Sequence, residues 1–268
     1  MKNEDTKKSK LQQITKNPIV IIGLGQTGRP LLEIVRQRYS VVGIDIEPNN
    51  FNGQASIMHI CYPYQINNFI DTSVGYINRY NPELTIINST VVPGTTRAIY
   101  EKTRKPIAYS PIRGKHSKMK KDLFFYTKFV AGIDNKTAYL AEKHFKTIGM
   151  KTKVFSSLEG LELAKSLSTT YFGLLIAWAQ EIERFCKKFN VNYDEVMSFT
   201  EEIDYFPPVI FKPGYIGGHC IISNIHLLKK ITKSDFLNII LESNEKKAKE
   251  LLKQGKSLNG RVSPKRIK

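Results

Sequence analysis

A shortened, parallel α/β sheet covered by helices and followed by a helical domain is the fold the sequence predicts, on three observations. Apolar runs of strand length alternate with amphipathic stretches over residues 17–156, the pattern of strand–helix–strand units. A glycine-rich turn separates the first apolar run from the first amphipathic one. From residue 157 the texture changes to long helical periodicity over 157–255.

The elements follow in order. "PIVIIG" is a continuous apolar run, suited to a parallel strand buried on both faces. Leu31, Leu32, Ile34 and Val35 give one apolar helix face, and "YSVVGID" is a second strand ending in an acid. "ASIMHICYP" is a third strand, followed by a helix over 66–80 and the strand and loop of "ELTIINSTVVPGTT". "PIAYSPIR" and "TKFVAGID" read as short strands, "NKTAYLAEKHFKTIG" as a helix ending at Gly149, and "KTKVF" as a closing strand. In the second half, residues 159–189 form a long proline-free helix, and "NYDEVMSFTEEI" a shorter one opened by Asn192 or Asp194 as a cap. The loop "FKPGYIGGHCIISN" follows, then helices in "NIHLLKKIT" and "SDFLNIILESNEKKAKELLKQ". Residues 1–16 and 256–268 read as basic tails, the latter disordered.

The 268 residues, 41% hydrophobic, suffice for a sizeable core. No run of eighteen apolar residues occurs, so no membrane partner is expected. The charged start lacks the apolar region of a secretory signal. Three scattered cysteines, Cys61, Cys186 and Cys220, argue against a disulfide framework and for a cytoplasmic setting. The net charge of +17 is concentrated at the two ends. No stacking aromatics interleave with the basic runs, which argues against nucleic acid as the main partner. A phosphorylated small molecule suits the same charge.

Gly23, Gly25 and Gly28 form G-x-G-x-x-G between the first strand and the first helix, and Asp45 ends the next strand about 20 residues on. The first glycine permits the tight turn. The second lets a pyrophosphate approach the helix N-terminus, and the third permits close helix–strand packing. An acid at Asp45 suits a ribose 2′-hydroxyl and disfavours a 2′-phosphate, so the expected cofactor of this Rossmann-type domain is NAD. The alternative is an α/β domain that keeps the turn and binds no nucleotide. The loop around Cys220 also has two readings: a close-approach surface beside a reactive thiol, or a tight turn with a half-buried cysteine.

Four motifs, "GLGQTG", "INSTVVPGTT", "ELAKSLSTTYFGLLIAWAQE" and "KPGYIGGHCIISN", together resemble the UDP-glucose/GDP-mannose 6-dehydrogenase family. The GGHC form is most similar to its UDP-N-acetylmannosamine and UDP-N-acetylglucosamine branch. The resemblance implies oxidation of a sugar C6 alcohol to a carboxylate with two NAD, through an aldehyde and a cysteine thioester. By matched position the nucleophile is Cys220, the oxyanion-stabilising lysine is Lys165, and Thr90 positions water, with Asn224 completing the catalytic set. The implied cofactor residues are Gly23, Gly25, Gln26, Thr27, Gly28, Asp45, Tyr62, Pro63 and Thr90. Those facing a sugar or nucleotide-sugar substrate are Arg113, Thr169, Gly217, Gly218 and His219. The family's long helix forms a dimer core, so a homodimer through residues 159–189 is expected. The spacing of His219, His226 and Cys220 matches no zinc pattern, and no metal is expected.

Several positions depart from the family pattern. Thr169 stands for an asparagine, Asn224 for an aspartate, and Ile112 for the acid of the "SPER" or "NPEF" motif. The segment between Asp45 and Ala55 is short, implying loss of a strand and a helix, and the C-terminal UDP-binding domain is expected to be absent. Two alternatives therefore stand beside the two-step dehydrogenase. One is a catalytically silent NAD-binding homologue with a regulatory or partner role. The other is a one-step hydroxyacid-type dehydrogenase using Lys165.

Overall fold

The computed structural model describes residues 17–46, 50–66, 68–201, 203, 209–217, 220–258 and 265–266. The basic tail expected over residues 1–16, Gly218 and His219 lie outside them. Two compact units divide between Lys165 and Ser166.

The first unit is built on a seven-stranded sheet: β1 (Ile19–Ile22), β2 (Val41–Ile44), β3 (Ile57–Ile60), β4 (Leu84–Ile87), β5 (Ile107–Tyr109), β6 (Lys128–Gly132) and β7 (Thr152–Val154). Their spatial order is β2-β1-β3-β4-β5-β6-β7. Every neighbouring pair is parallel except β5–β6, which corrects the expectation of a wholly parallel sheet: the chain returns from β5 through the short helix at 119–125 to run antiparallel beside it. All four residues of β1, of β3 and of β4 are buried, as expected of strands covered on both faces.

Alternation along β1 sends its side chains into two cores. Ile19 and Ile21 join Leu31, Ile34 and Phe145 under α1 (Gly28–Val35), α4 (Met119–Phe125) and α5 (Asn135–Thr147). Val20 and Ile22 join Phe69, Ile77 and Ile99 under α2 (Phe69–Tyr80) and α3 (Thr95–Thr103). The described residues between β2 and β3 form no helix or strand, and β2 is a sheet edge. The shortened sheet read from the sequence is thus observed. It puts the reversal of strand order, where α/β proteins bind ligands, between β1 and β3.

Two helices escaped the sequence reading. In α3, "TTRAIYEKT" buries only Thr95, Thr96 and Ile99, too sparse a stripe to read. The second, α4, has seven residues and follows a 3₁₀ turn at His116–Lys118.

The long helix α6 spans Leu158–Phe189, and the unit boundary falls within it. The second unit continues with α7 (Tyr193–Ser198), β8 (Val209–Ile210), α8 (Ile221–Lys229), α9 (Asp235–Lys253) and β9 (Lys265–Arg266). Of the two candidate caps for α7, Asn192 serves: its Oδ1 accepts from the Glu195 amide at 3.1 Å. β9 pairs antiparallel with β8, so Lys265 and Arg266 correct the expectation of a wholly disordered C-terminal tail. Ile176, Ala177 and Ala179 of α6 pack with Ile225, Leu228, Leu237 and Ile240. Gly173 makes this approach possible, since a Cβ there would lie 2.8 Å from Ile221. Among the described residues no helix is long and apolar enough to cross a membrane.

Candidate functional site

The geometry at the three glycines of the loop is compatible with the roles their spacing implies. Gly23 sits at φ +89°, and a Cβ there would lie 2.6 Å from the Tyr62 nitrogen. At Gly28 a Cβ would fall 1.8 Å from the Gly23 carbonyl oxygen, so the helix start can press on the strand end only as glycine. Beside Gly25 a Cβ would meet nothing within 4 Å: the space over the second glycine is open. Thr27, the residue before α1, does not cap the helix with its side chain, and the first turn carries no acid. Its hydroxyl donates instead to the Cys61 carbonyl at 3.4 Å. No side-chain cap or acid therefore competes with an anion at the head of α1, although the Arg29 and Leu31 amides already donate to the Gly25 and Thr27 carbonyls at 3.2 and 3.3 Å. Asp45 accepts a hydrogen bond from the Leu24 amide at 3.3 Å, which ties the acid at the end of β2 to the same loop. Residues and geometry fit a dinucleotide.

Other expected cofactor residues line the neighbouring strand ends. Tyr62 is buried, and its hydroxyl meets Ser73 Oγ at 2.6 Å. It offers a wall rather than a free polar group, and burial pushes its phenol pKa up. Pro63 and Gln26 are exposed. Thr90 is half-buried, in a loop tied to this wall by Ser89 Oγ donating to the Tyr62 carbonyl at 2.5 Å.

Glu162, on the first turns of α6, escaped the sequence reading. Its buried carboxylate accepts from the Gly94 and Thr96 amides at 2.6 and 3.0 Å and from the Thr96 hydroxyl at 2.6 Å. It caps α3 from a distance and so fixes the loop that begins at Thr90. Its burial raises its pKa, against the hydrogen bonds that hold the charged form.

Lys128 escaped notice too. Fully buried, it donates to the carbonyls of Ser110 and Pro111 at 2.7 and 3.0 Å and to Asn88 Oδ1 at 3.4 Å. Desolvation brings its pKa down to about 7, with the charges of Lys165 and Arg113 adding to the effect. Lys128 thus braces the segment that leads to Ile112 and Arg113. Ile112 is core, packed with Met119 and Leu123, so no carboxylate has room at that position. The Arg113 guanidinium lies 4.8 Å from the Phe129 ring centre and donates to the Thr127 carbonyl at 2.7 Å.

In the second unit, Cys220 is exposed and occupies the residue before α8, at the helix N-terminus. This disposes of the half-buried turn reading. The loop leading to it is held by three side chains that sequence reading missed. Asn244 pairs with the Ile216 backbone like a strand neighbour, accepting from its amide at 2.7 Å and donating to its carbonyl at 3.2 Å. Gln180 donates to the Gly214 carbonyl at 2.7 Å, and the Tyr193 hydroxyl to the Phe211 carbonyl at 2.7 Å. Gly217 is exposed, and a Cβ there would make only ordinary contact with the Tyr215 ring.

Two departures from the family pattern turn out to be partners. Asn224 is buried on α8, and its Nδ2 donates to Thr169 Oγ1 at 2.5 Å. The Thr169 hydroxyl in turn donates to the Ser166 carbonyl at 2.9 Å. The pair is neutral, and Asn224 cannot serve as a base.

Fold and glycine loop together define an α/β unit of the Rossmann type, followed along the chain by a helical unit. Residues 159–247 match the model of the UDP-glucose/GDP-mannose dehydrogenase family, central domain. The chain is 25% identical to the UDP-N-acetyl-D-mannosamine dehydrogenase of Methanococcus vannielii over 293 residues, covering 89% of this chain and 67% of that protein. A protein of the same name from Methanococcus maripaludis is 30% identical over 167 residues, or 60% of this chain and 38% of that one. Against the relative from Methanocaldococcus jannaschii the chain spans 65% of the length. The solved UDP-D-ManNAc dehydrogenase of Pyrococcus horikoshii superposes with a TM-score of 0.77 at 21% identity, over 88% of this chain and 71% of that one. The UDP-glucose dehydrogenase of Pyrobaculum islandicum gives 0.73 at 15% identity, over 89% and 70%.

Proposed function

We propose that this chain is an NAD-dependent dehydrogenase that oxidises the primary alcohol of a sugar or nucleotide sugar, with Cys220 as the covalent nucleophile. The observation that carries the reading is the conjunction, on one chain, of an open glycine loop tied to Asp45 and an exposed cysteine at a helix N-terminus. NAD, held by Gly23, Gly25, Gln26, Thr27, Gly28 and Asp45, would supply the hydride acceptor. Tyr62 and Pro63 would wall the cofactor, and Thr90 would position water beside it. Lys165 would stabilise the oxyanion that develops at the substrate carbon. Arg113, Thr169 and the loop of Gly217, Gly218 and His219 would border the sugar. Cys220 thiolate would add to the aldehyde carbon, giving a thiohemiacetal, which loses a second hydride to become a thioester.

With Ile112 in the core and Asn224 neutral, neither is a carboxylate base for the hydrolysis. The stoichiometry therefore tests the reading. With UDP-N-acetylmannosamine as substrate, two NAD are expected to be reduced per acid formed. A ratio of one would assign a single oxidation, and no reduction with UDP-N-acetylmannosamine, UDP-glucose or GDP-mannose would overturn the substrate class.

Cofactor choice follows from Asp45. NAD at saturating concentration is expected to raise the melting temperature more than NADP, and Asp45→Ala to narrow the gap. Equal stabilisation by the two would remove Asp45 from the site.

The assembly we propose is a homodimer through α6. Leu163, Leu167, Tyr171, Trp178, Phe185 and Phe189 are all exposed large apolar residues of this helix. At 100° per residue they fall within about 80° of arc, one continuous stripe. A continuous exposed apolar stripe of this kind supports an interface between two copies. Light scattering at micromolar concentration is expected to give twice the chain mass, and Trp178→Glu with Phe185→Glu to halve it.

A further inference from the structure

The glycine loop follows the C-terminal end of β1 and lies against Cys61 and Tyr62, which follow β3. A different feature lies at the N-terminal ends of the same strands: a cavity of about 170 Å³. Its floor is Ile19, Ile57 and Leu84, the first residues of β1, β3 and β4. Leu140 and Tyr39 contribute apolar surface, and Glu83 and Lys143 bring one charge of each sign. A void of about 150 Å³ is the size that accepts a benzene ring.

His144 also lines this cavity, and its state is dictated from the other end of the sheet. Lys128 Nζ donates to Asn88 Oδ1, which leaves Asn88 Nδ2 as a donor. Nδ2 donates to the Ile86 carbonyl and to His59 Nδ1, each at 3.1 Å. His59 Nδ1 is therefore an acceptor and its proton sits on Nε2. That proton is given to His144 Nε2, 3.1 Å away. The remaining proton of His144 must then be on Nδ1. This Nδ1 is buried and has no hydrogen-bond partner among the described residues, and the residue is 4% exposed. A buried N–H with no acceptor costs free energy that a bound acceptor would recover.

We propose that this cavity is a second ligand site, separate from the dinucleotide site, for a small flat apolar molecule ending in a carbonyl or carboxylate oxygen. The ring lies on Ile19, Ile57 and Leu84, and the oxygen accepts from His144 Nδ1. Lys143 adds attraction where the oxygen is anionic. Ligands of this form combine an apolar body with one directed polar contact, the usual composition of a small-molecule pocket.

The test is a titration of the full chain, held at saturating NAD, with benzamide, benzoate and toluene, followed by calorimetry and by the ¹⁵N signals of the histidine side chains. Benzamide or benzoate is expected to bind at least tenfold more tightly than toluene and to move the His144 Nδ1 signal. Leu140→Trp, which fills the cavity, is expected to weaken that binding at least tenfold. If Lys143→Ala weakens benzoate alone, the ligand is a carboxylate; if benzamide binds better and is unaffected, it is a neutral carbonyl. Toluene binding as tightly as both, binding of the probes only in a parallel titration without NAD, or an unmoved His144 signal at saturation would each overturn the proposal. The His144 signal in the unsubstituted chain decides the matter even if Leu140→Trp fails to fold.

Discussion

Cys220→Ser is expected to abolish formation of the acid, by about a thousandfold or more, while NAD binding is unchanged. The expectation rests on position. Cys220 is exposed, and as the residue before α8 it meets the positive end of a helix dipole, which favours thiolate over thiol. A serine hydroxyl at the same place keeps the shape and loses the nucleophile. The other two thiols are inert by contrast. Cys61 is buried with its pKa pushed up to about 12 by desolvation, and Cys186 is buried in the helical unit. Iodoacetamide near neutral pH should therefore modify Cys220 at least tenfold faster than Cys61 or Cys186, and NAD with substrate should protect it. Lys165→Ala should slow that modification if Lys165 acts on Cys220. Equal labelling of all three cysteines, with acid still formed by Cys220→Ser, would remove the thioester route.

The parts of this molecule that were legible in sequence are those whose chemistry is local. Gly23, Gly25 and Gly28 could be read because a strand–turn–helix must have glycine where the backbone crosses itself, and the 1.8 Å approach at Gly28 is that requirement in coordinates. The shortened sheet could be read from the brevity of the segment after Asp45. The Thr169 and Asn224 departures were each visible, but their pairing was not, because 55 residues separate them and only the crossing of α6 and α8 joins them. Glu162 stood in plain view in a helix-opening motif, yet its task is to cap a helix more than sixty residues away. Gln180 and Asn244 left a faint signal: each is a polar residue on a stripe of buried apolar ones, Asn244 following Leu237 and Ile240 at helical spacing. Lys128, Asn88, His59 and His144 left none. Their chain of hydrogen bonds exists only because β3, β4 and β6 share a sheet with α5 packed on it.

That buried chain should make the protein's stability climb with pH across two adjoining windows. Lys128 has its pKa lowered from 10.5 to about 7, with desolvation as the main cause. Between those values the unfolded chain carries a proton that the native one does not, so stability rises by about 1.4 kcal/mol per pH unit. Below pH 7 both states hold that proton and the lysine's contribution stays constant. His144 then takes over. Its pKa is lowered from 6.5 to about 3, again chiefly by desolvation and next by the Lys128 charge. Between 6.5 and 3 the unfolded chain again binds the extra proton, so stability continues to fall as the solution is acidified. His59, depressed by the same burial, acts in the same direction and window. From pH 9 to pH 5 the lysine and His144 together should remove roughly 4–5 kcal/mol, a large share of the stability of an ordinary domain. Urea unfolding at half-unit pH intervals measures it. Lys128→Met should flatten the curve above pH 7 and keep a lower slope over a window narrowed at its acid end, since the lysine charge no longer depresses His144, and it lowers stability throughout by stripping a donor from the Ser110 and Pro111 carbonyls. His144→Leu should flatten the curve below pH 6.5 and leave the upper slope. A wild-type curve level between pH 6 and 9 would mean that Lys128 keeps its proton in the folded protein.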